Sequence, residues 1–233
     1  MKIFYVVKYK KSKKGSNILK FKGVIFDLDG TLANTLSDLA NAVNYGLSKL
    51  GVEIPKLEEY KMFVGDGTDK MIERALKQNA TPENIAFVKK YYLEHYNEHF
   101  VDTTYAYNGM PELVEKLIKN GVTVAVVTNK VDSMAATVVE KLYGKCFNLV
   151  WGQRDGVPTK PDPTLTLMAL KELNLKPNEC AFVGDSSNDV LTGVNAGLYP
   201  VGVLWGFRSK EELLSNGAKA LASTAEELEN ILL

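Results

Sequence analysis

The sequence predicts an α/β fold, with a parallel sheet covered by helices and an all-helical segment inserted behind the first strand. Three observations carry this expectation. From Lys22 onward, apolar runs of strand length alternate with stretches of helical period, the pattern of a parallel sheet buried on both faces. Residues 37–104 break that alternation and hold only helical patterns. Three of the apolar runs end in polar or acidic residues, at the strand ends where such sheets collect their ligands.

Taken in order, residues 24–28 form an apolar run after Gly23, and residues 36–49 a long helix. Pro55 opens another helical stretch, which GDGT (Gly65 to Thr68) interrupts. Residues 69–77 place Met71, Ile72, Ala75 and Leu76 on one helical face. Pro82, just after Thr81, stands at the first turn of a helix reaching about residue 100. Strand and helix then alternate again. Residues 111–120 are an amphipathic helix ended by Gly121, and 122–129 a β-branched run. Helix 134–143 stops at Gly144, strand 147–152 follows, and helix 163–173 carries Pro163 in its first turn. Strand 180–185 ends in Asp185, helix 189–196 stops at Gly197, and strand 199–206 precedes helices at 210–215 and 225–232.

Composition narrows the function. The 233 residues suffice for one α/β domain with a smaller insert. Basic and acidic residues balance at 28 each, which argues against a broad nucleic-acid surface. Cys146 and Cys180 are read as reduced core residues. No apolar run reaches the ~18 residues of a membrane span, and a cytoplasmic protein is expected. Residues 1–20 stand apart as a Lys-rich extension with five lysines between Lys8 and Lys14. Their apolar start precedes the charge, the wrong order for a signal peptide. A short strand at 3–7 is a further expectation there.

Asp27, Asp29, Thr128, Asn129, Lys160, Asp185 and Asp189 form the candidate constellation, because converging strand ends would gather them in one crevice. Clustered carboxylates repel, at roughly 4 kcal/mol per pair for 4 Å and an effective dielectric near 20. A hard divalent cation relieves this, and carboxylates without thiolate or imidazole partners favour Mg²⁺. Lys160 adds a point charge suited to phosphate.

DLDGTLANT, VTN, KPDP and GDSSND occur in that order and resemble the four motifs of the haloacid dehalogenase superfamily over about residues 20–233. The resemblance implies a Rossmann-like core at 21–36 and 105–233 with a helical cap at 37–104. It implies that Asp27 is a nucleophile forming an aspartyl phosphate, and that Asp29 is the acid and base for the two half-reactions. It further implies Mg²⁺ held by Asp27, the Asp29 carbonyl, Asp185 and Asp189, the last directly or through water. Thr128 and the Asn129 backbone would bind phosphoryl oxygens, and Lys160 would neutralise charge. Gly30 would permit the tight chain path after the strand, and Thr31 would bond locally. An Asp at position 29 points to a phosphatase or phosphomutase, since dehalogenases typically lack it and P-type ATPases carry Thr. Asn34 departs from the Asp common in the family, with a modest capping effect expected.

KMFVGDGTDKMIERAL (from Lys61), VVTNK (from Val126) and WGFR (from Trp205) resemble phosphoglycolate phosphatases. Gly65 and Gly67 would let backbone amides approach a small anion. A small phosphate ester is the expected partner, 2-phosphoglycolate the best fit, with pyrophosphate, sugar phosphates and nucleotides open. A phosphomutase and a non-catalytic scaffold are the competing classes, and the protein is expected to be a monomer or homodimer. His95 and His99, four apart, have metal-compatible spacing but no evident third ligand and read as a solvated or partly packed pair; Tyr91, Tyr92, Tyr96 and Phe100 read as packing within the helical segment.

Overall fold

The computed structural model describes residues 19–233. The expected strand at 3–7, and all but the last two residues of the Lys-rich extension, lie outside the described residues. The described strands are β1 (Gly23–Phe26), β2 (Ala33–Asn34), β3 (Tyr105–Ala106), β4 (Thr123–Val131), β5 (Leu149–Gln153), β6 (Cys180–Gly184), β7 (Tyr199–Val203) and β8 (Ala220–Ala222). Six of them build one parallel sheet in the order β5-β4-β1-β6-β7-β8. Between β4 and β6 the chain crosses from one side of β1 to the other. Loops leaving the sheet there diverge and open a crevice.

Strand periodicity explains the near-continuous apolar runs. Val24, Phe26, Val124, Val126, Ala181 and Val183 face one way. They pack with α5 (Met110–Lys119), α6 (Asp132–Tyr143) and α10 (Ala225–Leu232). Ile25, Ala125, Val127 and Phe182 face the other way, against α7 (Thr164–Glu172). Each such side chain contributes about 1.5–3 kcal/mol by leaving water, so both faces must be apolar.

The inserted segment forms α1 (Leu36–Leu50), α2 (Tyr60–Phe63), α3 (Thr68–Leu76) and α4 (Pro82–His99). These helices share a hydrophobic cluster of their own, including Val43, Leu47, Ile72 and Val88, to which the sheet layer adds Met134 of α6. Pro55 does not open a helix as expected. A 3-10 turn begins at Leu57, where the Glu59 carboxylate accepts the Lys56 amide at 2.8 Å, and α2 follows.

Three short elements escaped the sequence. β8 is three residues, only one of them buried, too short for a readable alternation. β2 and β3 are two residues each and pair antiparallel where the chain enters and leaves the insert. The Asp38 carboxylate ties the same crossing, accepting the Thr103 and Thr104 amides at 3.0 Å and their hydroxyls at 2.5 and 2.7 Å. Asn34 acts locally: its Oδ1 accepts the Leu36 amide at 3.2 Å, and its Nδ2 donates to the Tyr105 hydroxyl at 3.0 Å. Cys146 and Cys180 are free thiols. Among the described residues no helix is long and apolar enough to cross a membrane.

Candidate active site

β1 ends at Phe26, level with Val126 of β4 and Val183 of β6. The next residue, Asp27, donates its amide to the Val183 carbonyl at 2.9 Å. Register therefore brings Asp27, Thr128 and Asp185 to the same end of three adjacent strands. Lys160 comes from the loop before α7. Asp189 comes from the first turn of α8 (Ser187–Asn195). Carboxylate oxygens of Asp27, Asp185 and Asp189 all lie within 4.8 Å of one another.

These groups are buried and fully engaged. Lys160 Nζ donates to Asp27 Oδ1 and Asp189 Oδ1, each at 2.6 Å. The other Asp189 oxygen accepts the Ser186 amide at 3.0 Å and hydroxyl at 2.6 Å, closing a capping box on α8. Asp185 accepts the Phe207 amide at 2.7 Å and the Thr31 hydroxyl at 3.4 Å. Thr31 thus reaches across the site rather than bonding locally. Gly30 has φ +86°, and a Cβ there would stand 2.3 Å from Asp185 Oδ2, so only glycine lets the two loops meet.

Electrostatics favour a cation. Burial first, then Asp189, push Asp27 up to about 6 despite Lys160. Burial, then Asp189 and Asp27, push Asp185 well above the usual carboxylate range. Burial opposes the charge on Lys160, but Asp189 and Asp27 outweigh it and raise its pKa. With all three carboxylates ionised, the one ammonium leaves an excess of two negative charges; burial resists that state, and a hard divalent ion on the all-oxygen donor set would favour it.

Above this floor lies a seam with the insert. Asn129 Nδ2 donates to the Gly65 carbonyl at 3.0 Å, and Asn188 Nδ2 to the same carbonyl at 3.3 Å and to Asp66 Oδ1 at 2.6 Å. Arg208 donates to the carbonyls of Lys61 and Val64, the latter at 2.7 Å. Hydrogen bonds from Asn188 and Arg74 hold Asp66 below the usual carboxylate range although burial opposes them. The remaining bridge is Lys130. Its Nζ lies 3.2 Å from Asp29 Oδ1 and 2.5 Å from the hydroxyl of Tyr96 on α4.

Residues 24–203 match the haloacid dehalogenase-like hydrolase family. The chain belongs to this family. A Chromobacterium violaceum protein named phosphoglycolate phosphatase is 32% identical over 222 residues, covering 93% of this chain and 98% of the relative. A Pseudomonas fluorescens protein of the same name is 33% identical over 189 residues, 79% of this chain and 70% of its own. A crystal structure from Lactobacillus delbrueckii subsp. bulgaricus superposes with a TM-score of 0.88 at 31% identity, covering 92% of this chain and 99% of its own. That protein is named a putative phosphoglycolate phosphatase.

In this haloacid dehalogenase-like chain, Asp27, Asp29, Thr128, Asn129, Lys160, Asp185, Gly65 and Gly67 line one cleft, with Asp189 directly behind Lys160. The Asn129 side chain is spent on structure, since its Oδ1 also accepts the Lys160 amide at 2.8 Å. Gly65 and Gly67 have φ of +120° and +88°. The core residues grip the Gly65 carbonyl, whereas the sequence had pointed to the loop's amides.

His95 and His99 pack ring on ring at 4.5 Å, and His99 Nδ1 pairs with Asp102 at 2.8 Å. Tyr96 and Asn188 were not foreseen as contributors, and Lys130 and Arg208 entered only as the final residues of VVTNK and WGFR, without a role. Tyr92 and Tyr96, expected only to pack, also line the cleft. The signal for Lys130 was its place beside the VTN motif. β4 runs on to Val131 instead of ending at Asn129, which carries Lys130 into the buried interior.

Proposed function

We propose that this phosphoric monoester hydrolase is a Mg²⁺-dependent phosphatase of small phosphoacids, with 2-phosphoglycolate the best-fitting substrate. The observation that carries the reading is the buried triad of Asp27, Asp185 and Asp189 around Lys160, with Asp29 beside it under the helical insert. The relatives named phosphoglycolate phosphatase support the choice of substrate.

In this mechanism Asp27 attacks phosphorus and becomes an aspartyl phosphate. Asp29 gives a proton to the departing oxygen, then takes one from the water that cleaves the acyl phosphate. Thr128 and the Asn129 backbone hold phosphoryl oxygens, and Lys160 keeps the nucleophile's charge balanced. Asp27, the Asp29 carbonyl, Asp185 and Asp189 would hold Mg²⁺. When bound, the ion supplies positive charge that lets nucleophile and phosphate approach. The helical insert acts as a cap, and its Gly65–Thr68 loop forms part of the wall around the leaving group.

The test is phosphate release from 2-phosphoglycolate, pyrophosphate, sugar phosphates and nucleotides in Mg²⁺, then in EDTA. Release should favour the small phosphoacid, stop in EDTA and return with Mg²⁺. Full activity in EDTA would overturn the metal assignment. No release from any substrate would overturn the phosphatase reading in favour of a binding protein on the same fold.

A further inference from the structure

The cleft contains three cationic side chains among its described lining residues: Lys130, Lys160 and Arg208. All three are hydrogen-bonded. Lys160 is shared between Asp27 and Asp189, and Arg208 is turned onto insert carbonyls. Lys130 differs in its place. It stands beside Asp29, the group proposed to meet the leaving oxygen, and on the insert side of it.

An ammonium has three N–H donors. Three acceptor atoms stand around Lys130 Nζ: Asp29 Oδ1 at 3.2 Å, Asp29 Oδ2 at 3.4 Å and the Tyr96 hydroxyl at 2.5 Å. The two Asp29 contacts are long, and an incoming anion can take the place of one of them. Its side chain is only 3% exposed, so an anion reaching it would be drawn out of water, where charge-assisted bonds are strongest. The neighbouring wall, with Leu39, Met71, Tyr92 and Met134, offers no competing charge.

We infer that Lys130, held by Tyr96 of the insert, reads an anionic group carried one carbon away from the leaving oxygen, so that it selects phosphoacids over uncharged phosphate esters. This rests on the phosphatase reading above and deepens it. Covalent geometry supports the reach. In an O–CH2–COO⁻ fragment the carboxylate oxygens lie roughly 3 Å from the ester oxygen. A leaving oxygen within about 2.6–3.2 Å of Asp29 therefore brings that carboxylate within reach of a nitrogen 3.2 Å from the same Asp29. A phosphate ester with a neutral arm offers no anion to exchange for an Asp29 contact, and the missing charge-assisted bond discriminates against it.

Two paired measurements test this. The first is turnover of 2-phosphoglycolate against 2-hydroxyethyl phosphate, which has the same length and no second charge. In Lys130→Met the ratio of kcat/KM values should fall at least tenfold, about 1.4 kcal/mol. Lys130→Arg should retain part of the preference. A parallel fall on both substrates with the ratio unchanged would mean that Lys130 only positions Asp29, and the inference is overturned.

The second is calorimetric binding of 3-phosphonopropanoate and propylphosphonate to the wild-type protein in Mg²⁺, which needs neither turnover nor a folded variant. The carboxylate compound should bind at least tenfold tighter, and equal affinities would overturn the inference. A wild-type protein that shows this binding preference but releases no phosphate would refute the phosphatase reading while supporting the role of Lys130.

Discussion

Two buried lysines face the same cleft, and their surroundings differ. Lys160 lies between Asp27, just past the end of β1, and Asp189, in the first turn of α8. Every partner belongs to one layer, and strand register places them. Lys130 lies between Asp29 of that layer and Tyr96 of the insert. Its partners arrive from the sheet layer and the helical insert, each with a main hydrophobic cluster, which meet at Met134 and Phe100. The difference separates two tasks. In the proposed mechanism, groups common to every phosphate ester sit on the floor, and groups that would sense the rest of the substrate sit at the seam.

If so, damage to the floor should be blind to substrate, while damage to the seam should depend on it. Asp27→Asn should show the largest effect: no measurable turnover on any ester, with circular dichroism unchanged, because an amide cannot replace the attacking carboxylate. Residual turnover that varied with the ester would break the comparison.

Lys160→Met removes one partner from a buried ion pair, a change that typically costs about 3–5 kcal/mol. Urea unfolding without metal should show a loss of that size. Added Mg²⁺ should stabilise the variant more than the wild type, since the carboxylates then lack their internal cation. An equal Mg²⁺ effect in both proteins would count against the shared charge balance.

Asp29→Asn should slow turnover by about 10²–10⁴, the usual span for losing an acid–base group. The loss should be least with p-nitrophenyl phosphate, whose leaving group needs no proton. A near-wild-type rate with an alkyl ester would exclude the role.

The smallest effect is expected at the seam itself. Arg208→Gln gives up the guanidinium grip on the carbonyls of Lys61 and Val64. For 2-phosphoglycolate kcat/KM should fall about tenfold, or 1.4 kcal/mol, and less for p-nitrophenyl phosphate. Equal losses on both would show that the seam serves closure without regard to substrate.

The floor was legible because each of its carboxylates occupies a strand end or helix start that its own neighbours specify, and Lys160 stands in the KPDP motif. Asp27 follows an apolar run, and Asp189 lies three residues after its capping partner Ser186. The seam was not legible for the same reason in reverse. Tyr96 and Lys130 are 34 positions apart, and Arg208 lies 144 from Val64. Nothing local to Tyr96 distinguishes it from a packing residue, since it is fully buried and stacked on Tyr92 at 5.0 Å. Burial alone hides the hydroxyl that turns toward Lys130. Nor could helical period separate β4 from its two-residue extension, because Lys130 breaks the apolar run while remaining inside.

The crossing at the base of the insert carries a consequence of another kind. Ala33 pairs with Ala106, and Asp38 is fastened to Thr103 and Thr104. Entry and exit are thus stitched side by side, so the loop between them begins and ends at nearly one place. A segment with adjoining ends can be lengthened, shortened or exchanged without pulling on the sheet. Descent with new substrates then needs no redesign of the floor: a different set of helices grafted between the same two stitches would present a different side chain to an unaltered Asp29.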